Sequence, residues 1–252
     1  ALINAGSGTI DLDADENIVI GGLVTTDATG SAIDVASVNG SITDAGDAHV
    51  DITASTGSAA VTLSAMNAIG TVSGDEIFLD PDDTGYAGNP LETAILSLSA
   101  TTSTADSDIA IDNTSASGLT LTALDAGGTG NAASAWIRNS AAWDISNLTV
   151  NTTNFNGDRL AFIATAGNLT VQDIGTTPLD VAAGVIKLEA AAGDVTETGD
   201  NDNLDVTAQD FVLKSGTAET VTLAVTNFDA QISGGFNLSA TSSSTVNLTN
   251  KD

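Results

Sequence analysis

The chain has 252 residues, with 33 Asp and Glu against 5 Lys and Arg, and a formal net charge of −28. Five scattered cations cannot make the basic stripe that a nucleic-acid partner requires, and an anionic membrane surface would repel such a chain. With no cysteine present, disulfides, thiolate metal sites and Cys nucleophiles are excluded.

Read from the N-terminal side, the chain is a series of short alternating segments. Thr9-Ile10-Asp11-Leu12, Asn17-Ile18-Val19-Ile20, Ala32-Ile33-Asp34-Val35, Ser41-Ile42-Thr43, Val50-Asp51-Ile52-Thr53 and Val61-Thr62-Leu63 each predict a strand. Turns carrying Gly21-Gly22, Gly30, Asn39-Gly40, Gly46 and Gly57 separate them, and Gly and Asn are the residues that turn a chain tightly. Two stretches then break the pattern. Residues 80–92 hold two of the three prolines and Tyr86, and read as a protruding loop. Residues 126–143 begin on a Gly-rich run and hold Trp136, Arg138 and Trp143, and read as a short helix or as an insertion packed over the side of the fold. After Asp144 the alternation resumes, most clearly in Asn203-Leu204-Asp205-Val206-Thr207, Phe211-Val212-Leu213-Lys214 and Phe236-Asn237-Leu238-Ser239.

One phrase recurs throughout: apolar, Thr or Ser, apolar, set off by Gly, Asn or Asp. It stands as Val61-Thr62-Leu63-Ser64-Ala65, Leu119-Thr120-Leu121-Thr122-Ala123, Val221-Thr222-Leu223-Ala224-Val225 and Val246-Asn247-Leu248-Thr249. Degenerate repetition of one unit predicts a solenoid, with two or three strands to a rung of about 20 residues and rungs about 4.8 Å apart. The strand spacing fits a β-sandwich as the alternative. Hydrophobic residues make up 42% of the chain but aromatics only 4%, so the core must be built from Val, Ile, Leu and Ala, which suit stacked strands. Long alternating segments and a mean hydropathy of +0.17 oppose disorder. No apolar stretch approaches the roughly 18 residues of a membrane-spanning helix. Residues 1–10 lack the basic start of a signal peptide, and the chain begins in mid-pattern without Met, as a processed product or a window on a longer polypeptide would. The expectation is one elongated all-β domain over residues 1–252 with two decorations, near 80–92 and 126–143.

Gly167-Asn168-Leu169-Thr170-Val171, Ala192-Gly193-Asp194-Val195-Thr196 and Ser37-Val38-Asn39-Gly40-Ser41-Ile42-Thr43 resemble the repeats of filamentous-haemagglutinin-like large exoproteins. Those are bacterial two-partner-secreted adhesins. The likeness covers most of the chain outside the two loops, although the family's N-terminal secretion domain is not evident and the spacing here is less regular. The resemblance implies a right-handed parallel β-helix, an extracellular place at the cell surface, and an adhesive rather than enzymatic role.

Acidic residues supply the metal candidates. Alternate residues of a strand face one way, so Asp11, Asp13 and Asp15 could line one face and offer calcium an oxygen cluster; the competing reading is a solvated outer face. Asp80, Asp82 and Asp83 in the Pro/Gly loop, and Asp200 and Asp202 with Asp205 beside Asn201 and Asn203, could do the same, although Asp and Asn are also ordinary turn residues. Tyr86, Trp136, Arg138 and Trp143 form the aromatic-rich binding candidate, since Trp, Tyr and Arg anchor interfaces; alternatively the tryptophans cover the core. His49 is the single imidazole, and no Gly-x-Ser-x-Gly elbow accompanies it, so no Ser-His-Asp constellation stands out. The expected function is an extracellular structural or adhesive protein. It would be a β-helical segment of a surface fibre that joins end to end with itself or with adjoining parts of a longer chain, with cell-surface glycans as possible ligands and without nucleic acid or membrane insertion. The alternative is a carbohydrate-active enzyme or lectin on the same scaffold.

Overall fold

Alternation is the local rule that builds the chain. In Ala60–Ala65 the side chains of Val61, Leu63 and Ala65 are buried while Ala60, Thr62 and Ser64 are half-buried, and Ile33–Ser37 and Leu91–Ile95 repeat the pattern. A strand buries only one face this way, so it must stack with others to close a core. The computed structural model describes residues 2–46, 49–73, 78, 88–105, 107–127, 133–145, 148, 159–172, 179–180, 184–198, 206–215, 218–232, 236–240 and 246–249.

The described strands form an all-β solenoid of parallel ladders. One ladder stacks Ile10–Ala14, Ile33–Ser37, Ala60–Ala65, Ser97–Thr102 and Thr120–Asp125. A second, longer ladder runs from Ile3–Asn4 through Leu23–Val24, Ile52–Ala54, Leu91–Ile95, Ile109–Asn113, Ser134–Asn139, Arg159–Ala164 and Val185–Ala190 to Val206–Ser215 and Ala218–Ile232. A short third row joins Ile18–Ile20 to Ile42–Asp44 and continues by single bridges through Ile69 to Ile109. Because Ile109 follows Ile69 while Ile111 follows Leu91, one strand spans both rows from that level onward. The buried residues of these ladders form one continuous apolar column from Ile10 to Leu213. A sandwich of antiparallel hairpins is not what forms. Among the described residues the antiparallel pair is Thr71–Val72 with Gly88–Asn89, which brackets the base of the first decoration.

Rung length varies more than the expected 20 residues. Ile3 and Leu23 are 20 apart, whereas Ile111, Ile137, Phe162, Leu188 and Leu213 stack at steps of 25 or 26. Asparagines just before a strand help to hold this register. Asn17 Oδ1 accepts the Ser41 N–H at 2.8 Å and Asn168 Oδ1 accepts the Asp194 N–H at 3.1 Å, one rung apart in each case. Gly193 sits so close above Gly167 that a Cβ on it would lie 2.2 Å from the Gly167 carbonyl oxygen, which is a close approach open only to glycine.

Part of the stretch 126–143, expected as a short helix or an insertion, is ladder instead. Ser134–Asn139 stands inside the long ladder, with Ile109 opposite Ala135 and Ile137 opposite Phe162. Likewise Leu91 and Glu92 already belong to a ladder strand. The alternation fails around 134–190 because the outer face is covered as well. Trp136, Ala161, Ile163 and Val185 point away from the column yet are buried, packed with Phe78 and with Val72. A strand covered on both faces loses its polar alternate positions, and Val185–Ala190 is buried at every residue.

Candidate metal centre

The outward-facing residues of the long ladder make a row along the axis, one residue per rung. Asp51 precedes Ile52; its N–H donates to the Glu92 carbonyl at 2.7 Å. Register then sets Glu92 beside Asp112, Asp112 beside Arg138, Arg138 beside Ile163, Ile163 beside Glu189, and Glu189 beside Lys214. Adjacent rungs are about 4.8 Å apart, so neighbouring charges in this row act on each other strongly where water is excluded.

Most of the row is neutralised in pairs. Arg138 makes a two-pronged contact with Asp112, its Nε donating to Asp112 Oδ1 at 2.9 Å and its Nη2 bonding Oδ2. That guanidinium also lies over the Trp136 ring, 5.4 Å from its centroid. The carboxylate raises the Arg138 pKa further above its ordinary value. Glu189, buried on the covered outer face, faces Lys187 Nζ at 3.6 Å and Lys214 Nζ at 3.2 Å. Asp108, half-buried on the strand side of the same rungs, has its pKa raised chiefly by burial; its Oδ1 accepts the Ser134 N–H, and the Arg159 charge works the other way.

The N-terminal end of the row has no such compensation. Asp51 and Glu92 meet Asp44, the last residue of Ile42–Asp44, and one carboxylate oxygen from each of the three lies within 4.8 Å of the others. Asp51 is 0% exposed and Asp44 6%; Glu92 is half-buried. Local hydrogen bonds hold part of each group. Asp44 Oδ2 accepts the Gly46 N–H at 2.8 Å, and Asp51 Oδ2 accepts the Glu92 N–H at 3.1 Å. Asp44 Oδ1, Asp51 Oδ1 and Glu92 Oε2 are buried with no hydrogen-bond donor. Among the described residues no Lys, Arg or His nitrogen pairs with any of the three. Burial, and then the Asp44 charge, push the Asp51 carboxyl up to about 8. Burial first and Asp44 second raise Glu92 too. Three acids with this geometry can share protons or a cation, and an all-oxygen donor set suits a hard divalent ion.

The sequence-predicted site residues fall elsewhere. Asp11 and Asp13 share the exposed outer face of Ile10–Ala14, as alternation requires, but the strand ends at Ala14 and the Asp15 carboxylate turns to accept a hydrogen bond from Asn39 Nδ2 at 2.7 Å. The three are not brought together as the Asp44 group is. Burial, followed by repulsion from Asp11 and Asp13, raises the Asp34 pKa on the neighbouring strand. Trp136 and Trp143 are both buried, Trp143 in the central column edge-on to Phe162 with ring centroids 5.9 Å apart. Neither tryptophan offers a free face for a sugar or a protein partner, and Arg138 is engaged with Asp112. Asp80, Asp82, Asp83, Tyr86, Asp200 and Asp202 lie outside the described residues. The Asp44–Asp51–Glu92 group escaped sequence reasoning because Asp51 and Glu92 stand 41 residues apart in the chain, far from the expected rung length. The available signal was weak: an acid directly before Ile52 and another directly after Leu91, both at strand starts. In comparisons with known proteins, no family model, no curated protein and no solved structure matches this chain.

Proposed function

We propose that the chain is a non-catalytic structural or adhesive segment of an extracellular surface fibre, lengthened by stacking rung on rung. The observation that carries this reading is the contrast between the end and the sides of the solenoid. At one end Ile3–Asn4, Ile10–Ala14 and Ile18–Ile20 each have a ladder partner on one side only among the described residues. Beside these edges Leu2 is 65% exposed and Val19 63%. Open parallel edges next to apolar side chains recruit further strands, whether from a preceding part of a longer chain or from a second copy. Against that, a net charge of −28 makes flank-to-flank approach, which no strand pairing rewards, unfavourable. Growth is thereby directed along the axis, and heterologous contacts of that kind make filaments. The likeness of the repeats to secreted adhesins fits this role.

Sedimentation velocity and negative-stain electron microscopy over a concentration series test it. Rods of uniform width that lengthen with concentration are expected, and Leu2→Lys combined with Ile3→Lys should shorten them by charging the open edge. Particles of one length at all concentrations, unaffected by those substitutions, would refute end-to-end growth.

A further inference from the structure

We propose that Asp44, Asp51 and Glu92 form a calcium site that clips three successive stretches of the solenoid together at its uncompensated corner. Three independent observations meet here. The first is geometric. Calcium binds oxygens at about 2.4 Å, so two ligands of one ion can be at most about 4.8 Å apart; the three carboxylate oxygens fall within that limit of one another. Magnesium demands a near-ideal octahedron and gives up its waters reluctantly, so three carboxylates carried on separate strands suit the looser calcium shell better. The second is the orphaned donor capacity. Asp51 Oδ1 and Asp44 Oδ1 belong to side chains more than nine-tenths buried and have no partner, although a buried carboxylate oxygen without a donor or cation is costly. The third is the charge pattern of the row. Farther along it Asp112 has Arg138 and Glu189 has Lys187 and Lys214, whereas at this corner three acids meet with no base among the described residues. A divalent cation supplies there the positive charge that basic side chains supply elsewhere.

The placement gives the ion a mechanical role. Asp44 ends a strand of the short row, Asp51 opens Ile52–Ala54 on the long ladder, and Glu92 belongs to the next rung, immediately after the first decoration returns through Gly88–Asn89. One ion bound by all three ties the end of the short-row strand to two successive rungs of the long ladder.

Calcium titration of the intact chain, followed calorimetrically and by thermal melting after chelator treatment, tests the site. Saturable binding of calcium is expected, with a melting temperature that climbs with calcium concentration and a weaker response to magnesium. Asp51→Asn and Glu92→Gln should each lower calcium affinity by more than about tenfold. The outer-face pair Asp11→Asn with Asp13→Asn should leave that affinity unchanged. Asp51→Asn keeps the size and shape of the group and should fold at least as well as the parent in chelator, so loss of its calcium response reports on the site rather than on folding. Two results would overturn the assignment. One is a melting temperature that rises equally with sodium at matched ionic strength, which is general screening of an acidic surface. The other is calcium affinity that survives Asp51→Asn and Glu92→Gln undiminished.

Discussion

Replacing Asn113 by Ala removes a side chain that closes a gap in the backbone ladder. Asn113 is fully buried. Its Oδ1 accepts the Ile95 N–H at 3.0 Å and the Thr93 hydroxyl at 3.0 Å, and its Nδ2 donates to the Ile95 carbonyl at 3.1 Å and to Asn139 Oδ1 at 2.8 Å. Ile95 is where the strand turns toward Ser97–Thr102, so its main chain finds in this amide what the next rung would otherwise provide. Each buried polar group left without a partner costs about 1–3 kcal/mol. The two Ile95 main-chain groups alone therefore set a loss of about 2–6 kcal/mol, a large part of the roughly 5–15 kcal/mol that keeps a domain folded. Asn113→Asp keeps the acceptors but deletes the donor and buries a charge, so it should cost at least as much. Urea unfolding monitored by circular dichroism measures the loss, and amide hydrogen exchange at Ile95 locates it, since solenoid rungs can open locally. A change within about 0.5 kcal/mol for Asn113→Ala, with Ile95 still protected, would refute the claim that this amide stands in for a missing rung.

Three further outcomes follow from other parts of the molecule. In chelator, stability should fall as pH rises from about 4, where an unfolded aspartate ionises, to about 8, where folded Asp51 does. Across that window the folded chain holds a proton that the unfolded chain has released, and Asp51→Asn should flatten the curve of melting temperature against pH. Gly193→Ala would set a Cβ 2.2 Å from the Gly167 carbonyl oxygen, main chain that cannot swing aside. It should cost about 1–3 kcal/mol in chemical denaturation, whereas Gly30→Ala, with nothing within 4 Å, should not. Trp136→Ala should cost about 3–5 kcal/mol. Because Trp136 and Phe78 belong to one outer cluster, a double-mutant cycle with Phe78→Ala should show a total smaller than the sum of the single losses.

Much of the architecture was legible in the letters. The expected segments around Ile10, Ile18, Ile33, Ile42, Ile52 and Val61 are strands, because period-two alternation and Gly or Asn turns act within a few residues of chain. Legibility fails where a second layer intervenes. Phe78 covers the outer face over Trp136 and Ile163, so a stretch such as Arg159–Ala164 carries apolar residues on both faces and no longer reads as a half-buried strand. The bulge opposite Leu98 and Ser99 blurs another: Leu121 and Leu124 are both buried three residues apart, and the Thr122 hydroxyl caps the Leu98 carbonyl at 3.0 Å.

The sites divide the same way. That Asp11 and Asp13 share an exposed face is decided by alternation alone and needs no knowledge of the fold. The pairing of Arg138 with Asp112 and of Lys214 with Glu189, and the meeting of Asp44, Asp51 and Glu92, depend on how many residues each rung consumes. In the regular rungs that count settles at 25 or 26 and the pairs could be found by stepping along the chain. Between Asp51 and Glu92 the step is 41 residues because the first decoration lies inside it. Local sequence therefore decides that a strand forms and which side chains face out, since those depend on backbone geometry over a few bonds. Only the closed tertiary ladder decides which outward charges become neighbours, since a looped-out segment changes distance along the chain without changing distance between rungs.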